Sequence, residues 1–387
     1  MPPQALSGET SSSTTLRGAL DRRALGKILW LAISCVFVLF ILDAATFRTG
    51  FYARYLEPAS YAGNFEFVLT AGKEKQFKRP HHVLVLGDSQ IGEGFSAQVA
   101  DEAGAHEGWE FFNAAVGGAS MRCWYYMVRE LDPDRTRFDV IVLPLRGYAD
   151  LDSGEILADR DDLRWVIARI RLADIAAFSN SFLTPLIKVQ VLRETLFKGL
   201  VYRRDLRELL RGPAARLQHV NDCRAACADS LYGYPGRTEN LSGLWMDWRT
   251  NTLHFPEGVS PQVQAEMKRH GNYSQWSVRG FERAYRKLWL GRIIERYRGT
   301  RAKIAIVSLP YRPFPIPFSW PTDSNSFASQ ASGNSQVTIL DEHLFEDLER
   351  PEFFFDVFHM NRTGRISFSS RLANALMQRL GTGSGPP

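Results

Sequence analysis

The fold is decided by the stretch His82-Val-Leu-Val-Leu-Gly-Asp-Ser89, in which an apolar run leads directly into a Gly-Asp-Ser tripeptide. Residues 82–87 are rich in β-branched side chains and end at a glycine, a pattern typical of a buried parallel strand. Similar short apolar runs predict four more strands, at 109–114, 138–145, 302–310 and 335–340. Helical patterns occur at 90–104, 119–131 and from Asn361 to about Leu380. Strands that alternate with helices predict an α/β fold, a three-layer α/β/α parallel sheet with helices on both faces.

Composition and charge exclude several classes of protein. With 45% hydrophobic and 23% charged residues, the 387-residue chain is neither intrinsically disordered nor collagen-like. A formal net charge of +5, without a zinc-finger or RNA-binding motif, argues against nucleic-acid binding. Four cysteines exclude a disulfide scaffold, and Cys223 and Cys227 either form one disulfide or remain free thiols in a helix. His343 has no metal-like neighbours, and we predict neither a metal site nor a cofactor.

The N-terminal segment predicts a membrane anchor. Residues 28–42 carry no charge, and extension to Phe47 gives 20 residues, about 30 Å of helix and enough to cross a bilayer core. Four basic residues precede this segment, so the positive-inside rule places residues 1–27 in the cytoplasm as a disordered tail. We therefore predict a transmembrane signal anchor at 28–47. The alternatives are a cleaved signal peptide, with an unusually long N-terminal region, and a buried core helix.

Residues 151–300 interrupt the series of strands and helices. No strand pattern is visible there, and helical periodicity occurs at 161–178, 186–211 and 274–298. We interpret the segment as a mostly helical insertion between the two parts of one domain, residues 48–150 and 301–387. Its 24 basic and 17 acidic residues leave a net charge of +7, which suits contact with an anionic polysaccharide or anionic lipid headgroups. A solvated helical surface explains the same charge more simply.

Three separated motifs carry the chemistry. Residues 87–89, Gly-Asp-Ser, follow the first strand, where a serine at the start of a helix is placed for nucleophilic attack beside free N–H groups. Residues 113–120 contain a Gly-Gly pair that either lets the backbone approach a ligand or forms a tight turn. In residues 356–361, His359 supplies a general base and Asp356 an acid to orient it. Each motif is weak alone, and their order after successive predicted strands is what favours a single site.

This combination resembles the SGNH (GDSL-type) hydrolase superfamily. The resemblance implies Ser89 as the nucleophile, His359 as the general base and Asp356 as the acid that orients it. It also implies an oxyanion hole formed by the N–H groups of Ser89 and Gly118.

The sequence departs from the family at one block. The third block is usually Gly-x-Asn-Asp, and here Gly147 and Asp150 match while Ala149 stands at the Asn position. Loss of one oxyanion donor typically costs about 2.7–4 kcal/mol of transition-state stabilisation. Either another donor substitutes, with Arg146 as the candidate, or the enzyme is slow or specialised.

The pattern is similar to a subset of the superfamily, the membrane-anchored alginate O-acetyltransferase-like proteins and the D-alanyl transfer protein of teichoic acid assembly. Those proteins also have one N-terminal membrane segment, an extracytoplasmic SGNH-like domain and an Asp-x-x-His-x-Asn ending. Asn361 matches that ending, and it equally fits the N-cap of the last helix. The resemblance covers residues 81–150 and 301–380 and does not extend to the insertion.

Further side chains near the predicted strand ends are candidates for substrate binding. The proline-rich loop 310–321 follows the fourth strand, at the sheet edge where ligands bind in such folds. It either supplies a sugar-stacking wall or is a proline-stiffened surface loop. The candidates are Asp88, Asn113, Arg146, Tyr311, Arg312, Trp320 and Asn361.

These features predict an extracytoplasmic enzyme that transfers an acyl group, most simply acetyl, to or from a cell-surface polysaccharide through an acyl-enzyme on Ser89. The resemblance implies a single-pass protein of the cell inner membrane with a periplasmic catalytic domain. A membrane-bound O-acyltransferase is the implied donor partner, because acetyl-CoA is not available outside the cytoplasm. The alternatives are a carbohydrate or lipid esterase with the same triad, and a non-catalytic polysaccharide-assembly or binding protein that kept the fold.

Overall fold

A parallel sheet of five strands lies at the centre of the structure, a computed structural model that describes residues 22–152, 160–270, 277–278, 280–310, 312–314 and 324–381. In chain order the strands are β1 (His81–Val85), β2 (Trp109–Asn113), β3 (Val140–Leu145), β4 (Leu151–Asp152), β5 (Trp245–Asp247), β6 (Thr252–His254), β7 (Ser277–Val278), β8 (Lys303–Ser308) and β9 (Val337–Ile339). The central sheet has the order β2-β1-β3-β8-β9, and each neighbouring pair is parallel. The remaining strands form two antiparallel pairs, β4 with β7 and β5 with β6.

Both faces of the central sheet are buried. Along each strand successive side chains point to opposite faces, so Leu84 and Ile141 belong to one hydrophobic cluster and Val83 and Val142 to another. This arrangement explains why these strands are continuous apolar runs in the sequence. The predicted α/β class with a parallel sheet and helices is therefore confirmed.

Helices cover the two faces. In chain order they are α1 (Arg22–Phe47), α2 (Tyr61–Glu74), α3 (Ser89–Gly94), α4 (Ala97–Ala103), α5 (Met121–Leu131), α6 (Asp162–Val166), α7 (Ile175–Asn180), α8 (Pro185–Leu196), α9 (Gly199–Arg211), α10 (Pro213–Gly233), α11 (Pro261–His270), α12 (Gly280–Arg296), α13 (Phe327–Ala331) and α14 (Arg362–Leu380). Side chains of α2, α5 and α12 pack in the first cluster, and side chains of α4 and α14 pack in the second.

The helix predicted at 90–104 is two helices, α3 and α4. Gly94 ends the first, and Ser96 caps the second by accepting a hydrogen bond from the N–H of Val99 at 3.3 Å. Between them Phe95 is fully buried in the core. A buried aromatic residue flanked by a helix-ending glycine and a capping serine makes the break, which a single helical pattern did not indicate.

The described residues of 151–300 form helices and, in addition, four short strands that the sequence did not indicate. Strands of two or three residues are too short to show an alternating pattern. The longest helix here, α10, begins at Pro213, the first-turn position where proline is favoured. Cys223 on α10 is a free thiol, which supports the second of the two cysteine alternatives.

The N-terminal helix α1 is longer than the predicted anchor. Within Ala24–Phe47 a window of 18 residues has a mean hydropathy of 2.5, and by length and composition the helix suffices to cross a membrane. The window of highest hydropathy is not buried against the rest of the protein, which argues against the alternative of a buried core helix. Near its C-terminal end the helix meets the folded domain, where Phe47 packs against Tyr52 and Tyr202.

Candidate active site

Ser89 follows the carboxyl end of β1, an interior strand of the sheet, and is the first residue of α3. Asp88 is the N-cap of α3, and its carboxylate accepts a hydrogen bond from the N–H of Gln90 at 2.8 Å. The turn requires glycine at position 87, because an added Cβ there would stand 2.4 Å from the Cβ of Ile91. The Gly-Asp-Ser sequence therefore folds the chain tightly from strand to helix and presents the serine at the sheet edge.

His359 reaches Ser89 from the loop before α14. Its Nε2 atom lies 2.8 Å from Oγ of Ser89, and its Nδ1 atom lies 2.8 and 3.0 Å from the two carboxylate oxygens of Asp356. The same carboxylate accepts hydrogen bonds from the N–H groups of Phe358 at 2.9 Å and His359 at 2.8 Å. These contacts hold the acid, the base and the nucleophile in one continuous hydrogen-bonded chain.

The surroundings raise the pKa of His359 and lower the pKa of Asp356. Burial by itself lowers the pKa of His359, but the hydrogen bond and negative charge of Asp356, aided by the charges of Asp88 and Glu93, raise it above its ordinary value. Burial by itself raises the pKa of Asp356, yet the hydrogen bonds and positive charge of His359 hold it below its ordinary value. His359 is thus a stronger base than a free imidazole, and Asp356 stays ionised beside it.

The Gly117-Gly118 pair forms a turn beside the nucleophile. The N–H of Ala119 donates to the carbonyl of Val116 at 3.0 Å, and Gly118 has a φ of +75°, as the third position of a type II turn requires. A Cβ added to Gly117 would stand 3.9 Å from the Cβ of Ser89. Gly117 is therefore the glycine that lies closer to Ser89, and Gly118 provides the positive φ that the turn requires.

Backbone N–H groups are available around Ser89. The first N–H groups of a helix have no partner within the helix, and Ser89 is the first residue of α3. Within the ranges that the structure describes, no residue accepts a hydrogen bond from the N–H of Ser89, Gly117 or Gly118. These groups are free to bind a developing oxyanion.

Arg146, which follows β3, lies beside the nucleophile turn. Its guanidinium donates to Oε1 of Gln90 at 2.7 Å and to the carboxylate of Asp88 at 3.1 Å, and it lies over the ring of Phe358 at 5.8 Å. Gln90 in turn donates to the carbonyl of Phe358 at 3.2 Å. The arginine therefore ties the serine turn to the histidine loop, and Gln90 and Phe358 belong to the site although no sequence motif singled them out.

Asp150 and Ala149, from the segment after β3, have structural roles. The carboxylate of Asp150 is fully buried, accepts from Nε of Arg283 at 2.9 Å and lies 3.4 Å from Arg286. It also accepts a hydrogen bond from the N–H of Phe327 at 3.1 Å. Ala149 before it is buried as well. Asp150 thus holds α12 and α13 against the end of the sheet.

The remaining predicted binding residues are engaged within the fold or lie outside the described part of the chain. Asn113 donates to the carbonyls of Ile91 and Phe95 at the end of α3. Asn361 is the N-cap of α14, as the structural alternative predicted. Arg312 forms an ion pair with Glu349 at 3.1 Å. Tyr311 and Trp320 are not among the described residues.

The insertion contributes a side of the site that the sequence did not predict. After α10, the hydroxyl of Tyr234 donates to Glu93 at 2.5 Å, and the guanidinium of Arg237 lies 4.9 Å from the centroid of the Phe355 ring. That ring stacks on the imidazole of His359, with a centroid distance of 5.7 Å. The insertion therefore borders His359 through one aromatic ring.

The described residues contain no group of three or more His, Cys, Asp or Glu side chains that could hold a metal ion. In comparisons with known proteins, the chain matches no protein-family model and shows no significant similarity to a curated protein.

Proposed function

We propose that this protein is a membrane-anchored SGNH-type acyltransferase that forms an acyl-enzyme on Ser89. One observation carries the proposal: the hydrogen-bonded chain from Oγ of Ser89 through the His359 imidazole to the Asp356 carboxylate, with both links at 2.8 Å. A serine, a base and an orienting acid in this geometry are the parts required for acyl transfer. The two buried faces of the parallel sheet are consistent with the three-layer arrangement of the superfamily.

The first half-reaction is the acylation of Ser89. Oγ attacks the carbonyl carbon of an acyl ester while Nε2 of His359 takes the hydroxyl proton, and a tetrahedral intermediate forms. The oxyanion of that intermediate is stabilised by the N–H groups of Ser89 and of the Gly117-Gly118 turn. When the intermediate collapses, His359 returns its proton to the departing alkoxide and the acyl group remains on the serine.

The second half-reaction transfers the acyl group to an acceptor hydroxyl. His359 takes the proton of the hydroxyl as its oxygen attacks the acyl-enzyme, and Ser89 recovers that proton when it leaves. A polysaccharide hydroxyl as the acceptor gives transfer, and water gives hydrolysis. We favour transfer, because a membrane-spanning α1 would hold the site near substrates that are attached to or emerge from the membrane.

The departure at the third block is compatible with this chemistry. Arg146 brings a guanidinium to the nucleophile turn, and its contacts with Asp88 and Gln90 fix it there. In the proposed enzyme Arg146 positions the turn and supplies positive charge where the family has an asparagine. The proposal places the domain outside the cytoplasm, in the periplasm, where a membrane-bound O-acyltransferase provides the acyl donor.

A two-step experiment tests the proposal on the full chain in detergent micelles. Wild-type protein is expected to hydrolyse a small aryl acetate and to react with a fluorophosphonate probe, whereas Ser89→Ala loses both, with kcat reduced by about 10⁴-fold or more. The exposed serine variant Ser332→Ala is the matched control and keeps both. Full activity in Ser89→Ala would exclude the triad, and an inert wild type would favour a non-catalytic binding protein.

Addition of an oligosaccharide acceptor separates transfer from hydrolysis. With an acetylated sugar as the donor, a transferase yields acetylated acceptor at the expense of free acetate. If the acceptor leaves the product ratio unchanged, the protein is an esterase that uses the same triad.

A further inference from the structure

The helix α8 points its apolar side chains away from the protein. Leu186, Val189 and Leu192 are spaced three residues apart, which places them on one side of the helix, and they are 77%, 64% and 40% exposed. On the opposite side Val191 and Thr195 are fully buried. Arg193, whose side chain is 62% exposed, shares this side near the C-terminal end of the helix. A surface helix of a water-soluble protein normally has the reverse arrangement, with a mostly polar face outward.

The apolar face continues beyond the ends of α8. Leu183, before the helix, is 46% exposed, and Leu200, at the start of α9, is 40% exposed. Several exposed large apolar side chains within one short segment mark a contact with another molecule or with lipid.

The position of α8 relative to α1 indicates which of these it meets. Asp43 of α1 accepts hydrogen bonds from the N–H groups of Gly199 at 2.7 Å and Lys198 at 3.0 Å, at the junction of α8 and α9. Arg48 donates to the carbonyls of Thr195 and Leu196 at 2.6 and 2.9 Å. The C-terminal end of α8 is therefore fixed to the end of the apolar helix.

These contacts determine which part of α1 lies next to the C-terminal end of α8. The side chains from Lys27 to Leu39 are exposed, and Phe40 is the first large side chain of α1 to be partly covered, by an edge contact with Phe197 at 6.0 Å. Asp43 is the first charged residue after the uncharged run that starts at Ile28. If α1 crosses a bilayer, as the proposed function requires, the junction held by Asp43 lies at the boundary between hydrocarbon and headgroups.

The exposed arginines of α9 suit a position at the same boundary between hydrocarbon and headgroups. Arg203, Arg207 and Arg211 are all exposed and are spaced four residues apart, so they lie on one side of the helix that starts at this junction. Basic side chains next to a membrane-spanning helix attract anionic headgroups.

We propose that α8 is an interfacial helix, which lies on the lipid bilayer with its Leu186, Val189 and Leu192 face among the acyl chains next to the headgroups. The occupant of this face is lipid and not a partner protein, because the face adjoins the end of α1 and is followed by the arginines of α9. The inference rests on the membrane-spanning role of α1 in the proposed function. The inference assigns the insertion a role in membrane contact that is separate from the catalytic chemistry.

The test uses the full chain, purified and reconstituted in vesicles of phosphatidylcholine and phosphatidylglycerol. In a background in which Cys35, Cys223 and Cys227 are serine, Leu186→Cys or Val189→Cys carries a bimane label, and the buried Cys123 stays unlabelled. Ile366→Cys is the matched control, since Ile366 is 45% exposed on α14. A variant that keeps only Cys35 and Cys123 reports on α1, and circular dichroism verifies that every variant is folded.

Lipids brominated close to the headgroup are expected to quench the labels at 186 and 189, and to leave the label at 366 at its intensity in unbrominated vesicles. Lipids brominated near the middle of the acyl chains are used for the label at Cys35, which lies eight residues, about 12 Å of helix, before Asp43. If the labels at 186 and 189 behave like the label at 366 while these lipids quench Cys35, α8 does not lie on the bilayer and the inference is wrong. If Cys35 is not quenched either, the membrane-spanning role of α1 fails first. A photocrosslinker at 186 that captures a protein in native membranes, with no quenching in vesicles, would assign the face to a partner and overturn the lipid proposal.

Discussion

Nε2 of His359 lies 2.8 Å from Oγ of Ser89, although 270 positions separate the two residues in the chain. The sheet order explains this proximity, because β1 occupies a central position and its carboxyl end faces the loop that precedes α14. The contact depends on two local features: the turn at Gly87 before α3, and the N–H groups of Phe358 and His359 that donate to the Asp356 carboxylate.

Removal of the Asp356 charge is expected to change both the rate and its pH dependence. Hydrolysis of an aryl acetate requires neutral His359, so kcat/KM rises with pH through the pKa of this residue in the free enzyme. Because Asp356 raises that pKa, the acid limb of the wild type lies above about pH 6.5. In Asp356→Asn the limb moves to lower pH, and kcat falls by about 10⁴-fold because the imidazole loses its orienting partner. A limb that stays in place would show that another group controls the profile.

The two glycines of the Val116–Ala119 turn are expected to respond differently to alanine. Gly118 has a φ of +75°, and an added Cβ would lie 3.0 Å from the Trp165 ring, so Gly118→Ala lowers the free energy of unfolding by about 1–2 kcal/mol. Gly117→Ala adds a methyl group at an ordinary distance of 3.9 Å from the Cβ of Ser89. It leaves stability nearly unchanged and raises KM for an acyl ester. Denaturant unfolding and steady-state kinetics of both variants measure the contrast, which equal effects on stability would contradict.

Arg146 is expected to act through the nucleophile turn and its charge. Arg146→Ala removes the donors to Asp88 and Gln90, and kcat falls by about 10²-fold, the effect of one lost donor in related sites. Arg146→Lys keeps the charge but loses the two-point geometry, so its kcat lies between those of alanine variant and wild type. Arg164→Ala, in a half-exposed ion pair with Asp161, is the control and keeps full kcat. Equal activity of Arg146→Ala and wild type would show that Arg146 does not replace the oxyanion donor that Ala149 lacks.

Asp150 is expected to matter for stability and not for the chemical step. Asp150→Asn removes a fully buried negative charge that faces Arg283 and Arg286, and the free energy of unfolding falls by about 3 kcal/mol. Asp161→Asn breaks a half-exposed pair and costs less than about 1 kcal/mol. After correction for the fraction of sites that react with a fluorophosphonate probe, kcat of Asp150→Asn equals that of the wild type. A reduced corrected kcat would assign Asp150 a part in catalysis.

The sequence predicted those features that depend on long or ordered patterns. The strands β1, β2, β3 and β8 have five or six residues, most of them apolar, and they lie within or one residue from the predicted ranges. Ser89, Asp356 and His359 were predicted as one site from their order after successive strands, and the structure brings them together. In these cases the local pattern and the tertiary structure favour the same arrangement.

The rest depends on contacts that no local pattern encodes. The break between α3 and α4 follows from the burial of Phe95, and β4 to β7 are too short to alternate visibly. Arg237 reaches the histidine loop only because the chain after α10 folds back onto α14. Periodicity also predicted helix at 186–211, but it cannot tell that the apolar side of α8 faces outward. Which side of a helix is covered is decided by its neighbours.

The 270 positions between Ser89 and His359 have a consequence for biosynthesis. During synthesis from the N-terminus Ser89 appears early, but β8, β9 and the histidine loop all follow residue 300. Until these later elements have joined the sheet, the serine has no base beside it, and an ordinary hydroxyl attacks esters only slowly. If the protein is the acyltransferase proposed above, a partly synthesised or partly folded chain is therefore inactive toward acyl esters. Its activity would then depend on completion of the sheet.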